Sequence, residues 1–205
     1  MDDMVRIYLV RHGETNWNKS LKYQGHKDVP LNDEGKKQAE KIGLRLAKEK
    51  IDAVYSSDLS RARETAAAIA RHHNKQVITL REFRETNFGC WEGLTYAEIV
   101  AAYEEVMLNW RKNPWQTKIP GGECLEEVVN RTNGMFWQLV EKHAGENIVI
   151  VAHGGTNRTI IAGILGMDFN DYWKLKQDNV CLNIIEVFPE KRAILCALND
   201  TSHLF

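Results

Sequence analysis

Cysteine is scarce in this sequence, and so is any excess of charge of one sign. No CxxC pair occurs, and the four cysteines lie in apolar or turn-like surroundings: Cys90, Cys124, Cys181 and Cys196. This pattern argues against a disulfide framework and a cysteine zinc site, and it favours reduced thiols in a cytoplasmic protein. With 27 Lys and Arg against 28 Asp and Glu, the net charge is −1. We therefore expect no nucleic-acid partner, since such binding relies on a basic surface.

Long hydrophobic runs are also absent. The opening MDDMVRIYLVRHG contains two acids and an apolar run of about six residues, whereas a membrane-spanning helix needs about 20. A secretory signal peptide is not expected either, because its first residues carry positive charge. The sequence therefore predicts no membrane partner and a cytoplasmic location.

What the sequence does contain is an alternation of short apolar runs and helical patterns. Its 205 residues, 43% of them hydrophobic, suit one domain spanning 1–205. Four runs rich in β-branched side chains predict buried parallel strands at residues 5–10, 53–56, 77–80 and 148–152. Helices are predicted after the capping residue Asn32 and at residues 58–71, 125–142 and 154–165.

The C-terminal part follows a different pattern. Residues 179–188 and 192–198 flank a turn at Pro189, and they predict a hairpin at the edge of the sheet. Together with the strands and helices before it, this predicts an α/β fold. The architecture is a three-layer α/β/α sandwich with a mostly parallel central sheet and a C-terminal edge hairpin.

One stretch, at about residues 95–122, does not fit the alternation. Residues 96–115 are helical and carry several aromatic side chains, and residues 113–122 are rich in proline and glycine. Candidate site residues lie on both sides of the stretch, so we interpret it as a helical capping excursion and not as a linker. For any single aromatic residue, including Trp173, core packing is the expected role.

Charged and protic side chains follow the ends of all four predicted strands. The sheet should deliver them to one rim: Arg11, His12, Arg61, Glu85, His153 and Gly154. Ligand sites of open α/β sheets lie beyond the carboxyl ends of the strands. Arg61 and His153 also stand near helix starts, where the helix dipole favours an anion.

This set of side chains suits a phosphoryl group. Guanidinium groups match phosphate oxygens through paired hydrogen bonds and offset the charge of a dianion. His12 is the candidate nucleophile, Glu85 the candidate proton donor, and His153 the candidate stabiliser of the transferring oxygens. The scheme requires no metal ion or other cofactor, and the arginines would repel the cation of an alternative His/Glu metal site. Glu82 is an alternative proton donor.

Four stretches carry a family resemblance: LVRHGETNWN at residues 9–18, SSDLSRARETA at 56–66, LREFRETNFGCWEG at 80–93 and VAHGGTNR at 151–158. They resemble the histidine phosphatase superfamily, also called the phosphoglycerate-mutase-like family. The resemblance implies a phosphohistidine at His12 and proton donation by Glu85. It implies phosphate binding by Arg11, Asn18, Arg61, His153 and Gly154.

The resemblance also implies residues on the substrate side of the site: Thr15, Gln24, Gly25 and Glu123. Cys124 departs from the family pattern, because related phosphatases often have serine after GGE. The departure bears on the substrate role of Glu123 and its neighbour.

The implied activity is that of a phosphomonoesterase acting on a small phosphorylated metabolite. At 205 residues the chain is similar to the short phosphatase branch of the family. The alternatives are a cofactor-dependent phosphoglycerate mutase and a non-catalytic sensor of phosphorylated ligands. The stretch YWKLKQDNVCLNIIE and the PGGE segment are similar to α-ribazole phosphatases of cobalamin synthesis, so α-ribazole 5′-phosphate is a candidate substrate. The edge hairpin and the exposed aromatic residues would allow the chain to form a homodimer.

Overall fold

A six-stranded sheet forms the centre of the protein in a computed structural model that describes residues 3–205. Its strands are β1 (Val5–Arg11), β2 (Ala53–Ser57), β3 (Val77–Leu80), β4 (Asn147–Ala152), β5 (Leu182–Val187) and β6 (Ala193–Asp200). Their order in the sheet is β3-β2-β4-β1-β5-β6. The first four strands run parallel, and β5 and β6 add an antiparallel hairpin at one edge. The mostly parallel sheet and the edge hairpin are thus confirmed.

Helices cover both faces of this sheet. The helices are α1 (Asn16–Lys19), α2 (Asp33–Leu46), α3 (Ser60–Ala70), α4 (Tyr96–Lys112), α5 (Leu125–Lys142) and α6 (Gly154–Leu165). Of these, α2, α3, α5 and α6 pack on the sheet. Because side chains alternate across a strand, Ile7 and Leu9 of β1 pack with residues of α5 and α6. Tyr8 and Val10 pack with residues of α2 and α3 on the other face. The predicted three-layer sandwich is therefore confirmed, and each fully buried large apolar side chain contributes about 1.5–3 kcal/mol.

Strand β3 lies in a more open environment than the sequence predicts. Its apolar run predicts a buried strand, but Ile78 is 44% exposed and Thr79 is also exposed. The reason is that β3 ends the sheet and pairs with β2 alone. Other boundaries differ slightly from the predicted ones: β1 extends to Arg11, and α3 begins at Ser60.

The excursion at residues 95–122 has a small apolar core of its own. Thr95 caps α4, and the buried members of the cluster are Trp91, Ile99, Met107, Trp110 and Ile119. Tyr23 and Phe88 pack against this cluster, and both rings also line a cleft at the carboxyl edge of the sheet. The excursion thus fixes the position of two aromatic walls of that cleft.

Helix α5 is 18 residues long and carries charged side chains along one face. Within residues 3–205, no helix combines the length and the apolar character that crossing a bilayer requires.

Candidate active site

Two histidines meet at the carboxyl edge of the sheet because their strands are neighbours. Parallel β1 and β4 pair Arg11 with Ala152, and His12 and His153 follow one residue later. The centroids of the two imidazole rings are 5.1 Å apart, and the ring planes are inclined by 62°. The structure therefore brings together the two side chains on which the predicted phosphoryl chemistry depends.

His12 is held in one tautomer. Its Nδ1 lies 2.7 Å from the carbonyl oxygen of Gly13, so Nδ1 donates its proton there and Nε2 keeps a free lone pair. The backbone is tightly packed at this point, since a Cβ on Gly13 would lie 2.5 Å from the carbonyl oxygen of Gly35. The His12 side chain is only 3% exposed, so the ring lies in the floor of the cleft and not on an open rim.

Two arginines lie near the histidines, Arg61 fully buried and Arg11 partly buried. Arg61, at the start of α3, donates from its two terminal nitrogens to the carbonyl oxygens of Lys27 and Gly25, both at 2.8 Å. Arg11 donates to the carbonyl oxygen of Gln177 at 2.6 Å. The Nε atoms of both arginines are buried without a hydrogen-bond partner among residues 3–205. Burial lowers the pKa of Arg61 to about 10, which leaves its guanidinium charged at neutral pH.

Burial also keeps the two imidazoles neutral. It lowers the pKa of His12 and that of His153 well below 6.5, and the charges of Arg61 and Arg11 lower both further. Neither ring nitrogen of His153 has a partner within the described residues 3–205. Buried polar groups are normally paired, so this cluster of unpaired nitrogens fits an anionic ligand that accepts several hydrogen bonds.

Glu85 completes the polar part of the cleft. One carboxylate oxygen accepts the backbone N–H of Thr86 at 2.9 Å, and the other accepts that of Gly155 at 3.0 Å. A Cβ at Gly155 would lie 2.3 Å from the Glu85 carboxylate, so a larger residue there would displace the carboxylate from its present position. Glu85 lines the cleft and Glu82 does not, which favours Glu85 as the candidate acid.

The remaining predicted residues divide into two groups. Asn18, Gln24 and Gly154 line the cleft. Thr15 is buried behind it, where its hydroxyl donates to Gln24 at 3.0 Å and its N–H to Asn18 at 3.0 Å. Thr15 therefore contacts the cleft through other side chains.

Gly25 and Glu123 are also placed differently from the substrate-side positions that the resemblance implies. Gly25 contributes the backbone carbonyl that holds Arg61. Glu123 is not among the residues that line the cleft; its carboxylate pairs with Arg131 on α5. Both contacts depend on tertiary packing that the local sequence does not specify.

The cleft has a volume of about 420 Å³, and part of its lining is not predicted by the sequence. Arg158 lies one helical turn after Gly154 on α6, a spacing that could have indicated it. Trp173 is 41% exposed and lines the cleft together with Tyr172, so the expectation of core packing for Trp173 is wrong. These two aromatic residues lie on a short 3₁₀ helix, Phe169–Lys174, which is too short to show a periodic pattern in the sequence.

The free energy of unfolding should fall as the pH is lowered from about 7 to about 5. In the unfolded chain His12 and His153 take up protons near pH 6.5, whereas in the folded protein both stay neutral. The unfolded state therefore binds more protons below that pH. Each unit of difference in pKa costs about 1.4 kcal/mol of stability once the pH lies below both values. Other histidines with pKa values lowered by burial act in the same direction: His26, His73 and His203.

Calorimetric Tm values across this pH range test the prediction. His153→Asn, which removes one of the two neutral imidazoles, should reduce the slope of Tm against pH. A Tm of the wild type that does not change with pH would contradict it.

Comparisons with known proteins agree with this geometry. A sequence model of the "Histidine phosphatase superfamily (branch 1)" matches residues 7–201. "Phosphoglycerate mutase-like protein 4" of Arabidopsis thaliana is 45% identical over 206 residues, covering 98% of this chain and 88% of that protein. "Phosphoserine phosphatase 1" of Hydrogenobacter thermophilus is 35% identical over 201 residues, covering 98% of this chain and 95% of that protein.

The fold is also shared with solved structures. The crystal structure of the α-ribazole phosphatase from Shigella flexneri superimposes with a TM-score of 0.87 at 30% identity, covering 95% of this chain and 96% of that one. Sequence and fold similarity thus extend over nearly the whole chain. The chain therefore belongs to the histidine phosphatase superfamily and is a phosphatase.

Proposed function

We propose that the protein hydrolyses a small phosphomonoester through a phosphohistidine at His12. The observation that carries this proposal is the pair of imidazoles 5.1 Å apart, both within reach of the charges of Arg11 and Arg61. In the first step Nε2 of His12 attacks phosphorus while the bond from phosphorus to the alcohol oxygen breaks. Glu85, in its protonated form, gives its proton to the departing alkoxide.

The second step regenerates the enzyme. Water attacks the phosphorus of the phosphohistidine, the bond to Nε2 breaks, and the Glu85 carboxylate takes a proton from the water. Inorganic phosphate leaves, His12 is again neutral and Glu85 is again protonated, so the enzyme returns to its starting state. Arg11, Arg61 and His153, with the N-terminus of α6, would stabilise the charge that spreads over the transferring oxygens.

Rapid quenching of a reaction with substrate labelled in its phosphate tests this mechanism. Label should appear on the protein as an acid-labile, alkali-stable phosphoramidate, and the yield should not change when a chelator is added. Turnover without any labelled protein at short times would argue for direct attack by water.

The alcohol half of the substrate has an aromatic environment. Tyr23, Phe88 and Trp173 line the cleft together with its polar side chains. A second cavity of about 350 Å³ shares Tyr23 and Trp173 with the cleft and is further lined by Tyr96, Met107, Trp110 and Arg111. A flat apolar group attached to the ester could contact these rings. These features support α-ribazole 5′-phosphate as the substrate, because its base is aromatic.

The aromatic wall predicts a preference that kinetics can measure. We expect kcat/KM for α-ribazole 5′-phosphate to exceed that for phosphoserine by about 10- to 100-fold, which corresponds to about 1.4–2.7 kcal/mol of added contact. Trp173→Ala should reduce the ratio. Trp137→Ala, on α5, serves as the matched control, since Trp137 packs against Phe136 and not in the cleft.

Two results would redirect the proposal. A preference for phosphoserine would contradict the aromatic substrate while leaving the phosphatase mechanism in place. Interconversion of phosphoglycerates without release of inorganic phosphate would favour a mutase.

A further inference from the structure

Arg131 makes an unusually complete set of hydrogen bonds to the segment that carries Glu85. One terminal nitrogen donates to the carbonyl oxygens of Glu82 and Arg84, both at 2.7 Å. The other donates to the carbonyl oxygen of Glu85 at 2.9 Å. Three backbone carbonyls of residues 82–85 thus converge on a single guanidinium group from α5.

Glu123 fixes the other side of the same guanidinium. Its two carboxylate oxygens accept from Nε and a terminal nitrogen of Arg131 at 2.8 and 2.9 Å. One of them also accepts the backbone N–H of Asn87 at 2.8 Å. The side chains of Arg131 and Glu123 are only 19% and 18% exposed, so the pair is better shielded from water than a surface ion pair.

Two further contacts hold the same segment. His26 Nε2 lies 3.0 Å from the carbonyl oxygen of Glu85, and the hydroxyl of Thr156 on α6 donates to that of Arg84 at 2.8 Å. Arg131 thus makes most of the contacts that fix the backbone at Glu85. The carboxylate of Glu85 is fixed separately by the N–H groups of Thr86 and Gly155. No residue of the Arg131–Glu123 pair lines the cleft itself.

We propose that Arg131, paired with Glu123, is a positioning residue that holds Glu85 at the distance from His12 required for proton transfer to the leaving group. The inference rests on the proposed function, in which Glu85 is the acid. Carbonyl oxygens that face one another repel, so without the guanidinium the segment has to rearrange, and Glu85 moves with it. Displacement of a catalytic group by about 1 Å costs about 100-fold in rate.

The test compares leaving groups in Arg131→Met. With an alkyl phosphate, kcat should fall by about 100-fold, because the alkoxide needs a proton. With p-nitrophenyl phosphate it should stay within about threefold, because nitrophenolate leaves without one. Arg131→Lys should behave like Arg131→Met, since an ammonium group cannot reach three carbonyls and a carboxylate together.

Stability must be separated from positioning. Arg6→Met is the matched control, because Arg6 pairs with Glu186 at the opposite end of β1 and is also partly buried. It should lower the Tm without changing the ratio of the two rates. If Arg131→Met does not fold, Glu123→Gln keeps the side-chain volume, removes the charge partner, and should produce the same selective loss to a smaller extent.

The outcomes distinguish this inference from the proposal beneath it. Suppose that Glu85→Gln slows the alkyl phosphate far more than p-nitrophenyl phosphate. If Arg131→Met then slows both substrates equally, or slows neither, the positioning role is wrong. If Glu85→Gln itself shows no selectivity, the assignment of the acid is wrong and the inference fails with it. In the Glu85→Gln background, Arg131→Met should cause no further selective loss.

Discussion

Replacing His12 by alanine should lower kcat by about 10⁴- to 10⁶-fold, the range seen when a covalent nucleophile is removed. The reason is geometric as well as chemical. Nε2 is the one ring nitrogen of His12 with a free lone pair, since Nδ1 is committed to the carbonyl oxygen of Gly13. His153 is not expected to replace it, because in the proposed mechanism its ring binds the transferring oxygens and does not attack phosphorus.

Steady-state kinetics with p-nitrophenyl phosphate and a Tm measurement together check this result. The ring is buried but makes a single side-chain hydrogen bond, so we expect the variant to remain folded. His143→Ala provides the control, because His143 is also buried but hydrogen-bonds to Tyr55, and neither residue lines the cleft. It should lower the Tm and leave kcat nearly unchanged. Substantial turnover by His12→Ala would exclude His12 as the nucleophile.

Glu85→Gln should slow the hydrolysis of alkyl phosphates by about 10²- to 10⁴-fold, the usual contribution of a general acid. Glutamine cannot give up a proton, so the alkoxide has to leave unprotonated. The rate with p-nitrophenyl phosphate should change far less. The two rates measured in parallel report on the acid itself, since damage to phosphate binding would lower both.

Glu82→Gln is the control for this substitution. Glu82 is three residues away and contacts Arg131 through its backbone carbonyl, which the substitution leaves intact. It should behave like the wild type with both substrates. A selective loss in Glu82→Gln together with equal losses in Glu85→Gln would transfer the role of acid to Glu82.

Much of the sheet and of the cleft could be predicted because the relevant signals are local. Apolar runs bounded by polar residues indicate strands, and the residues after parallel strands collect at one edge. His12 and His153 could be expected at that edge without knowing the strand order. Their distance of 5.1 Å depends on β1 and β4 being neighbours, which no single segment encodes.

The parts that sequence reasoning missed depend on contacts between distant segments. Ile78 belongs to an apolar run like those of the central strands, and only the position of β3 at the end of the sheet exposes it. The resemblance implies a substrate-side role for Glu123, and only the tertiary structure shows that its carboxylate pairs with Arg131 on the following helix. Arg131 itself follows no motif, since its acceptors are backbone carbonyls 46 to 49 positions away.

The place of β1 in the sheet has a consequence for synthesis on the ribosome. This strand precedes His12 in the chain, but both of its neighbours, β4 and β5, lie after residue 146. While the intervening residues emerge, an apolar segment remains without a partner and is open to wrong association. Pairing over such long sequence separations is slow. For most of translation the growing chain thus carries β1 and His12 outside any completed sheet, the interval in which a chaperone would shield the strand.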